Sequence, residues 1–376
     1  MPLCKNLQFF TQDYAWSQLS YSRQGGNRVK GVMRAVIKPT AAPGAALATD
    51  WPIPQPGPKD LIIKVKAAAI CGTDSHIYDW TPYAQTRVKP PTPIGHEFCG
   101  EVVEMGSAVE GFEIGDLVAG ETHIPCGNCY LCRTGQPHIC QNMLILGIQT
   151  PGVFADYTLI PAVCAWKLPK DFDPEIGAIL EPMGVGVHGA LLGPLHAKNV
   201  AVLGCGPIGQ LAIATAAACG AKKIMVSDME DVRLEMAKSM GATHLYNARR
   251  DDVVAEVRKE TNDLGADVVL EVTGVSPVME SALKMARKAA RVTFIGLPNN
   301  PVTFNDFAND LIYKELEVSG VTGRKMYETW FQVQGLIESG KVNPKKVITH
   351  RFPLEEYDAA FVAARDRVGG KVLFIP

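Results

Sequence analysis

Hydrophobic and polar residues follow two different patterns along the chain, and the change occurs near residue 190. Before this point, short apolar runs alternate with Gly- and Pro-containing segments, as at residues 61–69, 99–105, 116–120 and 153–160. Runs of this length that are bounded by turn residues are typical of β-strands. Because no long helical period interrupts them, we predict a β-rich domain.

After residue 190, apolar strand-like runs alternate with helical segments. Buried strands separated by helices predict parallel βαβ units, in a doubly wound sheet covered on both faces. The chain then ends in a helical segment and a strand over 371–375, which we expect to return to the first domain. The strands are predicted over 200–203, 223–227, 267–272 and 291–295, and the helices over 207–219 and 230–240.

These patterns divide the chain into an extension and two domains. Residues 1–32 form the N-terminal extension, because the first clear strand pattern starts at residue 33. The β-rich domain covers residues 33–185 and is completed by residues 328–376. The doubly wound α/β domain covers residues 186–327.

Composition and charge narrow the class of protein. Of the 376 residues, 47% are hydrophobic and 20% are charged, which is ordinary for a globular protein. The 37 Lys and Arg residues nearly balance the 39 Asp and Glu residues, so neither nucleic acid nor a membrane surface is an expected partner. The N-terminal 30 residues have no apolar core of a secretion signal. We therefore expect a cytoplasmic protein.

A glycine-rich turn predicts a dinucleotide site at the start of the second domain. Gly204, Gly206 and Gly209 follow a predicted strand and open a predicted helix, in the pattern G-x-G-x-x-G. Asp228 ends the next strand, where a carboxylate binds the adenosine ribose hydroxyls and favours NAD. Arg233 leaves NADP open as the alternative, because an arginine can hold a 2′-phosphate.

Four cysteines lie close together in the first domain and predict a structural zinc site. Cys126, Cys129, Cys132 and Cys140 have the spacing C-x2-C-x2-C-x7-C. Four thiolates close a tetrahedron around zinc and leave no position open for substrate. An iron–sulfur cluster and a nucleic-acid-binding zinc knuckle are the alternatives, although the fourth cysteine is too distant for the ferredoxin pattern and the local charge is low.

A second group of residues predicts a catalytic zinc. Cys71 follows the strand-like run at 61–69, and His96 and Glu97 follow a Pro-rich loop. Cys and His together suit zinc, and Glu97 and Glu181 are the candidates for a further ligand. Glu181 lies in an apolar segment, where a carboxylate without a partner is costly. A satisfied core histidine is the alternative for His96.

Thr73 and His76 follow Cys71 and form a candidate proton relay. When zinc lowers the pKa of a bound alcohol, the hydroxyl proton needs a route out of a dry site. A threonine hydroxyl and a surface histidine can provide that route. The alternative for His76 is a solvent-facing loop histidine.

From residue 33 onward, the chain resembles the zinc-containing medium-chain dehydrogenases. The resemblance rests on Gly95-His96-Glu97 with Gly100, on the four-cysteine segment and on the glycine-rich turn. Within the family, residues 69–85, 120–132, 321–331 and 348–352 are most similar to the enzymes that oxidise L-threonine. The resemblance implies a GroES-like β-rich catalytic domain, a Rossmann domain and assembly as a homotetramer. It also implies oxidation of L-threonine, a small-molecule alcohol, to 2-amino-3-oxobutanoate.

The same resemblance implies the roles of single residues. Cys71, His96 and Glu97 would bind the catalytic zinc, with Glu181 as a mobile fourth ligand, and Thr73 and His76 would form the relay. His123 would lie at the substrate cleft. The NAD site would be lined by Gly204, Gly206, Ile208, Gly209, Asp228, Arg233, Ile295, Gly296, Leu297, Val321 and Thr322.

The segment after Glu181 departs from the threonine enzymes. Those enzymes have Asn and Ala where this chain has Val185 and Gly186, and often have Trp where it has Tyr83. The segment after Glu181 in this chain is more similar to that of polyol and butanediol dehydrogenases. A polyol or 2,3-butanediol-type secondary alcohol is therefore the alternative substrate.

Overall fold

The computed structural model describes residues 29–298, 300–366 and 369–376. The predicted N-terminal extension lies outside the described residues except for residues 29–32, and β1 begins within that last part, at Val32. None of the described helices is both long and apolar enough to cross a membrane.

The secondary-structure elements follow the two hydrophobic patterns found in the sequence before and after residue 190. The strands of the first part are β1 (Val32–Lys38), β2 (Ala46–Pro52), β3 (Asp60–Ala69), β4 (Thr92–Pro93), β5 (Glu97–Met105), β6 (Leu117–Gly120), β7 (His123–Ile124), β8 (Leu144–Ile145), β9 (Tyr157–Pro161) and β10 (Ala165–Leu168). Its helices are short: α1 (Gly72–Tyr78), α2 (Pro82–Gln85), α3 (Tyr130–Arg133) and α4 (Pro174–Ala178).

The second part alternates regularly, and the last segment adds two strands. Its elements are α5 (Leu180–Ala190), β11 (Asn199–Leu203), α6 (Pro207–Ala218), β12 (Lys223–Asp228), α7 (Asp231–Ser239), β13 (His244–Asn247), α8 (Val253–Glu260), β14 (Ala266–Glu271), α9 (Ser276–Met285), β15 (Ala286–Phe294) and β16 (Glu317–Gly320). The last segment contains α10 (Glu328–Glu338), β17 (Ile348–Phe352), α11 (Tyr357–Arg365) and β18 (Lys371–Phe374).

The β-rich part is organised around β3. In the larger sheet the strand order is β10-β6-β5-β3-β18-β17, and β9 also pairs with β3. Side chains along β3 alternate, since Ile63 and Val65 are buried whereas Lys64 and Lys66 are exposed. A smaller sheet has the order β2-β1-β4, and β7 pairs with β8. Because β18 pairs antiparallel with β3, the C-terminal strand lies beside the strand that leads to Cys71.

The second part is a parallel sheet with the order β13-β12-β11-β14-β15-β16. Each neighbouring pair in it is parallel. The strand order reverses between β11 and β14, and ligands of such sheets bind at this point, beyond the carboxyl ends of the strands. This arrangement confirms the predicted Rossmann-type sheet.

Most predicted elements agree with the structure to within a residue or two at their ends, but the strand predicted over 153–160 was wrong in its first half. It begins only at Tyr157. The preceding backbone instead bonds to the segment before His96, through Val153 N to Gly95 O (3.1 Å) and Phe154 N to Ile94 O (3.0 Å). Gly95 has φ +90°, and a Cβ there would lie 2.3 Å from the Phe154 ring, so only glycine fits this approach.

Candidate active site

Three predicted metal ligands meet between β3 and β5. One ligand atom each from Cys71, His96 and Glu97 lies within 4.8 Å of the other two. Cys71 is the N-cap residue of α1, and its backbone N–H donates to Asp74 Oδ2 at 2.9 Å. The turn that follows β3 therefore holds Cys71 close to the residues that open β5. The donor set of thiol, imidazole and carboxylate fits zinc.

Asp74 also lies beside the His96 ring. Asp74 Oδ1 lies 3.3 Å from His96 Nδ1, and both side chains are buried. A carboxylate beside one ring nitrogen leaves the other nitrogen available to a metal, which is the usual arrangement of a histidine ligand. Asp74 was not among the residues predicted for the site.

Glu97 is fully buried and pairs with a lysine from the last strand. Lys371 Nζ donates to Glu97 Oε1 at 2.6 Å and to Ile70 O at 3.1 Å. Burial opposes the charge on Lys371, but the Glu97 carboxylate outweighs it and raises the pKa of Lys371. The ammonium group of Lys371 thus neutralises the negative charge of Glu97, which is part of the charge of this site.

Glu181 lies outside this group of three ligand atoms. Its Oε1 pairs with Arg324 Nη1 at 2.5 Å and accepts a hydrogen bond from Thr122 Oγ1 at 3.1 Å. The Arg324 guanidinium is buried and also pairs with Glu121. The partner that a buried carboxylate at this position requires is therefore, in this structure, an arginine.

Glu121 is the centre of a buried polar cluster beside His123. It accepts hydrogen bonds from Arg324 Nε (2.9 Å), Trp330 Nε1 (2.9 Å) and the backbone N–H of His123 (3.0 Å). Burial raises the pKa of Glu121, but the Arg324 guanidinium reverses this and holds it well below the usual range. The His123 ring lies against Gly323, where a Cβ would come within 2.5 Å of His123 Cε1.

The two predicted relay residues lie on α1. Thr73 and His76 are both partly exposed. His76 Nδ1 lies 3.4 Å from Thr81 Oγ1, and the His76 ring is 6.0 Å from the ring of Tyr83. The helix that follows Cys71 therefore presents both candidate relay residues at partly exposed positions.

The four-cysteine segment forms a compact cluster. Its sulfur atoms all lie within 4.8 Å of one another, and the Cys129 sulfur is 3.5 Å from that of Cys132 and 3.7 Å from that of Cys140. Zinc–sulfur bonds of about 2.3 Å place sulfurs about 3.8 Å apart in a tetrahedron, so the cluster fits zinc closely.

Backbone N–H groups around the cluster favour thiolates. The N–H of Asn128 makes the largest contribution in lowering the pKa of Cys126 to about 6. Burial and the neighbouring thiols Cys129 and Cys140 raise the pKa of Cys132 to about 12. Without a cation, such crowded thiols do not all ionise together, and a bound dication removes that obstacle.

The glycine-rich turn joins β11 to α6. Gly204 has φ +97°, and a Cβ on Gly209 would come within 1.9 Å of Gly204 O. Asp228 accepts hydrogen bonds from the backbone N–H groups of Cys205 (2.7 Å) and Glu230 (3.0 Å), so its carboxylate lies directly beside the turn. Arg233 Nε and Nη2 donate to Gly369 O at 3.3 and 3.2 Å.

The other predicted dinucleotide residues follow the carboxyl ends of β15 and β16. The backbone N–H groups of Ile295 and Gly296 donate to Glu271 O, and that of Val321 donates to Phe294 O. Leu297 and Thr322 are exposed next to them. Ile208 lies in the first turn of α6, where free N–H groups bind phosphates.

Sequence reasoning missed several charged residues of the site. Arg324 and Glu121 are 203 residues apart in the chain, and Lys371 and Glu97 are 274 residues apart. Both Glu121 and Arg324 lie within stretches that carry the family resemblance. The signal that the sequence offered for Lys371 was a lysine at the start of the apolar strand-like run 371–375.

Comparisons with known proteins agree with this geometry. Residues 57–170 match the alcohol dehydrogenase GroES-like domain, and residues 207–339 match the zinc-binding dehydrogenase family. An L-threonine 3-dehydrogenase from Bacillus licheniformis is 46% identical over 92% of this chain and 99% of its own length.

Two solved structures are similar over nearly the whole chain. The NADH complex of an alcohol dehydrogenase from Escherichia coli CFT073 has a TM-score of 0.83 at 28% identity, covering 92% of this chain and 100% of that one. The 2R,3R-butanediol dehydrogenase of Bacillus subtilis has a TM-score of 0.82 at 29% identity, covering 92% of this chain and 99% of that one.

Proposed function

Because the chain belongs to the zinc-binding dehydrogenases, we propose that it oxidises L-threonine to 2-amino-3-oxobutanoate and transfers the hydride to NAD. The observation that carries the proposal is the 46% identity to an L-threonine 3-dehydrogenase, which extends over 92% of this chain. The substrate carbon loses a hydride and its hydroxyl loses a proton, so the site must accept both.

Two metal sites and one dinucleotide site support this chemistry. We propose that Cys71, His96 and Glu97 hold the catalytic zinc, with Glu181 as a fourth ligand, and that the four-cysteine cluster holds a structural zinc. When bound, zinc lowers the pKa of the substrate hydroxyl and NAD accepts the hydride. The carboxylate of Asp228 beside the glycine-rich turn supports NAD as the cofactor.

The remaining roles belong to side chains of the cleft. Thr73 and His76 carry the hydroxyl proton towards solvent, and the position of both on α1 supports this. His123 contributes to the substrate cleft, where the Glu121 cluster restrains its ring. The Rossmann loops after β15 and β16 complete the cofactor site.

A 2,3-butanediol-type alcohol is the second candidate substrate. Val185, on α5 beside Glu181, offers no polar group where the threonine enzymes have an asparagine, and a butanediol dehydrogenase shares the fold. The deciding experiment measures NADH formation with L-threonine, 2R,3R-butanediol and sorbitol. We expect the highest kcat/KM with L-threonine. Turnover of butanediol without turnover of millimolar L-threonine would assign the enzyme to diols instead.

We also propose that the chain works as a homotetramer in the cytoplasm, with its β-rich domain at 33–185 and 328–376 and its Rossmann domain at 186–327. The family resemblance supports the assembly. Light scattering of the purified protein tests the mass of the assembly, and metal analysis tests for two zinc ions per chain.

A further inference from the structure

Lys38, the last residue of β1, is fully buried although it carries an ammonium group. Its Nζ donates to Gly44 O at 2.7 Å and Tyr78 O at 3.0 Å, and lies 5.1 Å from the centre of the Trp80 ring. Among the described residues, no carboxylate lies within 4.0 Å of it. Burial accordingly lowers the pKa of Lys38 to about 8.

These contacts converge on the C-terminal end of α1. Tyr78 is the last residue of this helix, and its carbonyl has no partner within the helix. Lys38 and the backbone N–H of Gly44 (2.8 Å) both donate to that carbonyl. A cation at this end also interacts favourably with the helix dipole. The loop between β1 and β2 is thereby attached to α1, the helix that follows Cys71.

The turn after α1 connects this attachment to His76. Trp80, under the ammonium group, has φ +54°, an unusual conformation for a residue with a side chain. The next residue, Thr81, returns to the helix: its backbone N–H donates to His76 O at 3.1 Å. Thr81 Oγ1 lies 3.4 Å from His76 Nδ1. The path from Lys38 to the imidazole therefore runs through Trp80 and Thr81.

We propose that Lys38 is a positioning residue that fixes the end of α1 and, through the turn at Trp80 and Thr81, the ring of His76. The inference rests on the proposed relay role of His76. Its physical basis is that proton transfer requires donor and acceptor within hydrogen-bond reach, so a shift of the helix end by about 1 Å lowers the rate by up to about 100-fold.

Lys314 offers a matched control. It also donates to backbone carbonyls at the end of a helix, to Leu283 O at 2.7 Å, Lys284 O at 3.0 Å and Ala286 O at 3.1 Å. These carbonyls belong to the end of α9 and the start of β15, far in the sequence from α1. Lys314→Met and Lys38→Met therefore both remove donors to backbone carbonyls at a helix end, but only Lys38 contacts α1; Lys314 also lies 4.0 Å from Asp310 Oδ1.

The experiment measures kcat and KM of the zinc-loaded enzyme for Lys38→Met, Thr81→Val, His76→Asn, Lys314→Met and the double variant Lys38→Met/His76→Asn. We expect Lys38→Met to lower kcat about 10- to 100-fold with little change in KM or zinc content, and Thr81→Val to lower kcat less. Lys314→Met should retain the kcat of the parent enzyme. The double variant should have the kcat of His76→Asn, because Lys38 acts through His76.

The outcomes separate two failures. If His76→Asn keeps the parent kcat, the relay role in the proposed function is wrong. If His76→Asn loses activity while Lys38→Met keeps it, or if the two losses multiply in the double variant, Lys38 does not position the relay. If Lys38→Met does not fold, Lys38→Gln, which keeps a hydrogen-bond donor at this position, replaces it in the same comparison with His76→Asn.

Discussion

Replacing Arg324 with Met should destabilise the protein strongly and in a pH-dependent way. The guanidinium lies between Glu121 and Glu181 with 1% of its side chain exposed, and Glu121 is equally buried. Removing one partner of a buried ion pair costs about 3–5 kcal/mol. Trp330 Nε1 and the backbone N–H of His123 still donate to Glu121, and Thr122 Oγ1 still donates to Glu181. We therefore expect about 3 kcal/mol, the lower end of that range.

The pH dependence follows from the pKa of Glu121. In the parent protein Arg324 holds this pKa well below its unfolded value of about 4.3, so the contribution is constant between pH 5 and 8 and is lost only in stronger acid. In Arg324→Met, Trp330 and His123 still favour the carboxylate, but we expect burial to outweigh them, so that the folded pKa of Glu121 rises above the unfolded one. The folded state then binds more protons than the unfolded state, and the variant gains stability as pH falls from 8 towards 5.

Urea denaturation at fixed protein concentration, at pH 8 and pH 5.5, measures both effects. The difference in free energy of unfolding between parent and variant should be larger at pH 8. Adding Glu121→Gln to Arg324→Met removes the orphaned charge and should recover part of the loss at pH 8. A single variant within 1 kcal/mol of the parent at pH 8, or a cost that is unchanged at pH 5.5, would refute the reasoning.

Three further substitutions test the metal and cofactor sites. Cys71→Ser should lose one zinc per chain and more than 99% of kcat, while its denaturation curve stays close to that of the parent protein. A metal content of two zinc ions per chain in this variant would contradict the assignment. Cys129→Ser should instead release the other zinc and lower the denaturation midpoint, because that ion joins segments of one loop; an unchanged midpoint would exclude a structural role. Asp228→Ala should raise the KM for NAD about tenfold and reduce the preference for NAD over NADP, measured as the ratio of the two kcat/KM values. An unchanged ratio would contradict ribose recognition by Asp228.

Sequence reasoning identified the features whose residues all lie within a short stretch of the chain. The glycine-rich turn needs only Gly204 to Gly209 between a strand and a helix, and the cysteine cluster needs only residues 126–140. Local spacing determines the geometry in both cases, because the participating residues cannot move far apart. The parallel sheet is similarly readable, since each buried strand is a continuous apolar run.

Features that depend on residues far apart in the sequence could not be predicted from local patterns. Nothing near Glu181 in the sequence indicates that Arg324 is its partner, and the apolar surroundings of Glu181 fit a metal or an arginine equally well. β17 was missed because most of its side chains face solvent, so its pattern lacks the apolar run of a buried strand. The segment at 153–155 was misread for the opposite reason: it is buried and apolar, but its backbone bonds to the Gly95 turn.

The pairing of Lys371 with Glu97 also sets an order of events during synthesis. Lys371 follows Glu97 by 274 residues, so at about 5–20 residues per second the ribosome adds it roughly 15–55 s later. Until then, the carboxylate beside Cys71 and His96 has no ammonium partner, and β3 lacks β18 as a neighbour. In a nascent chain, the candidate metal site therefore lacks this charge pairing until the whole dinucleotide-binding half has been made.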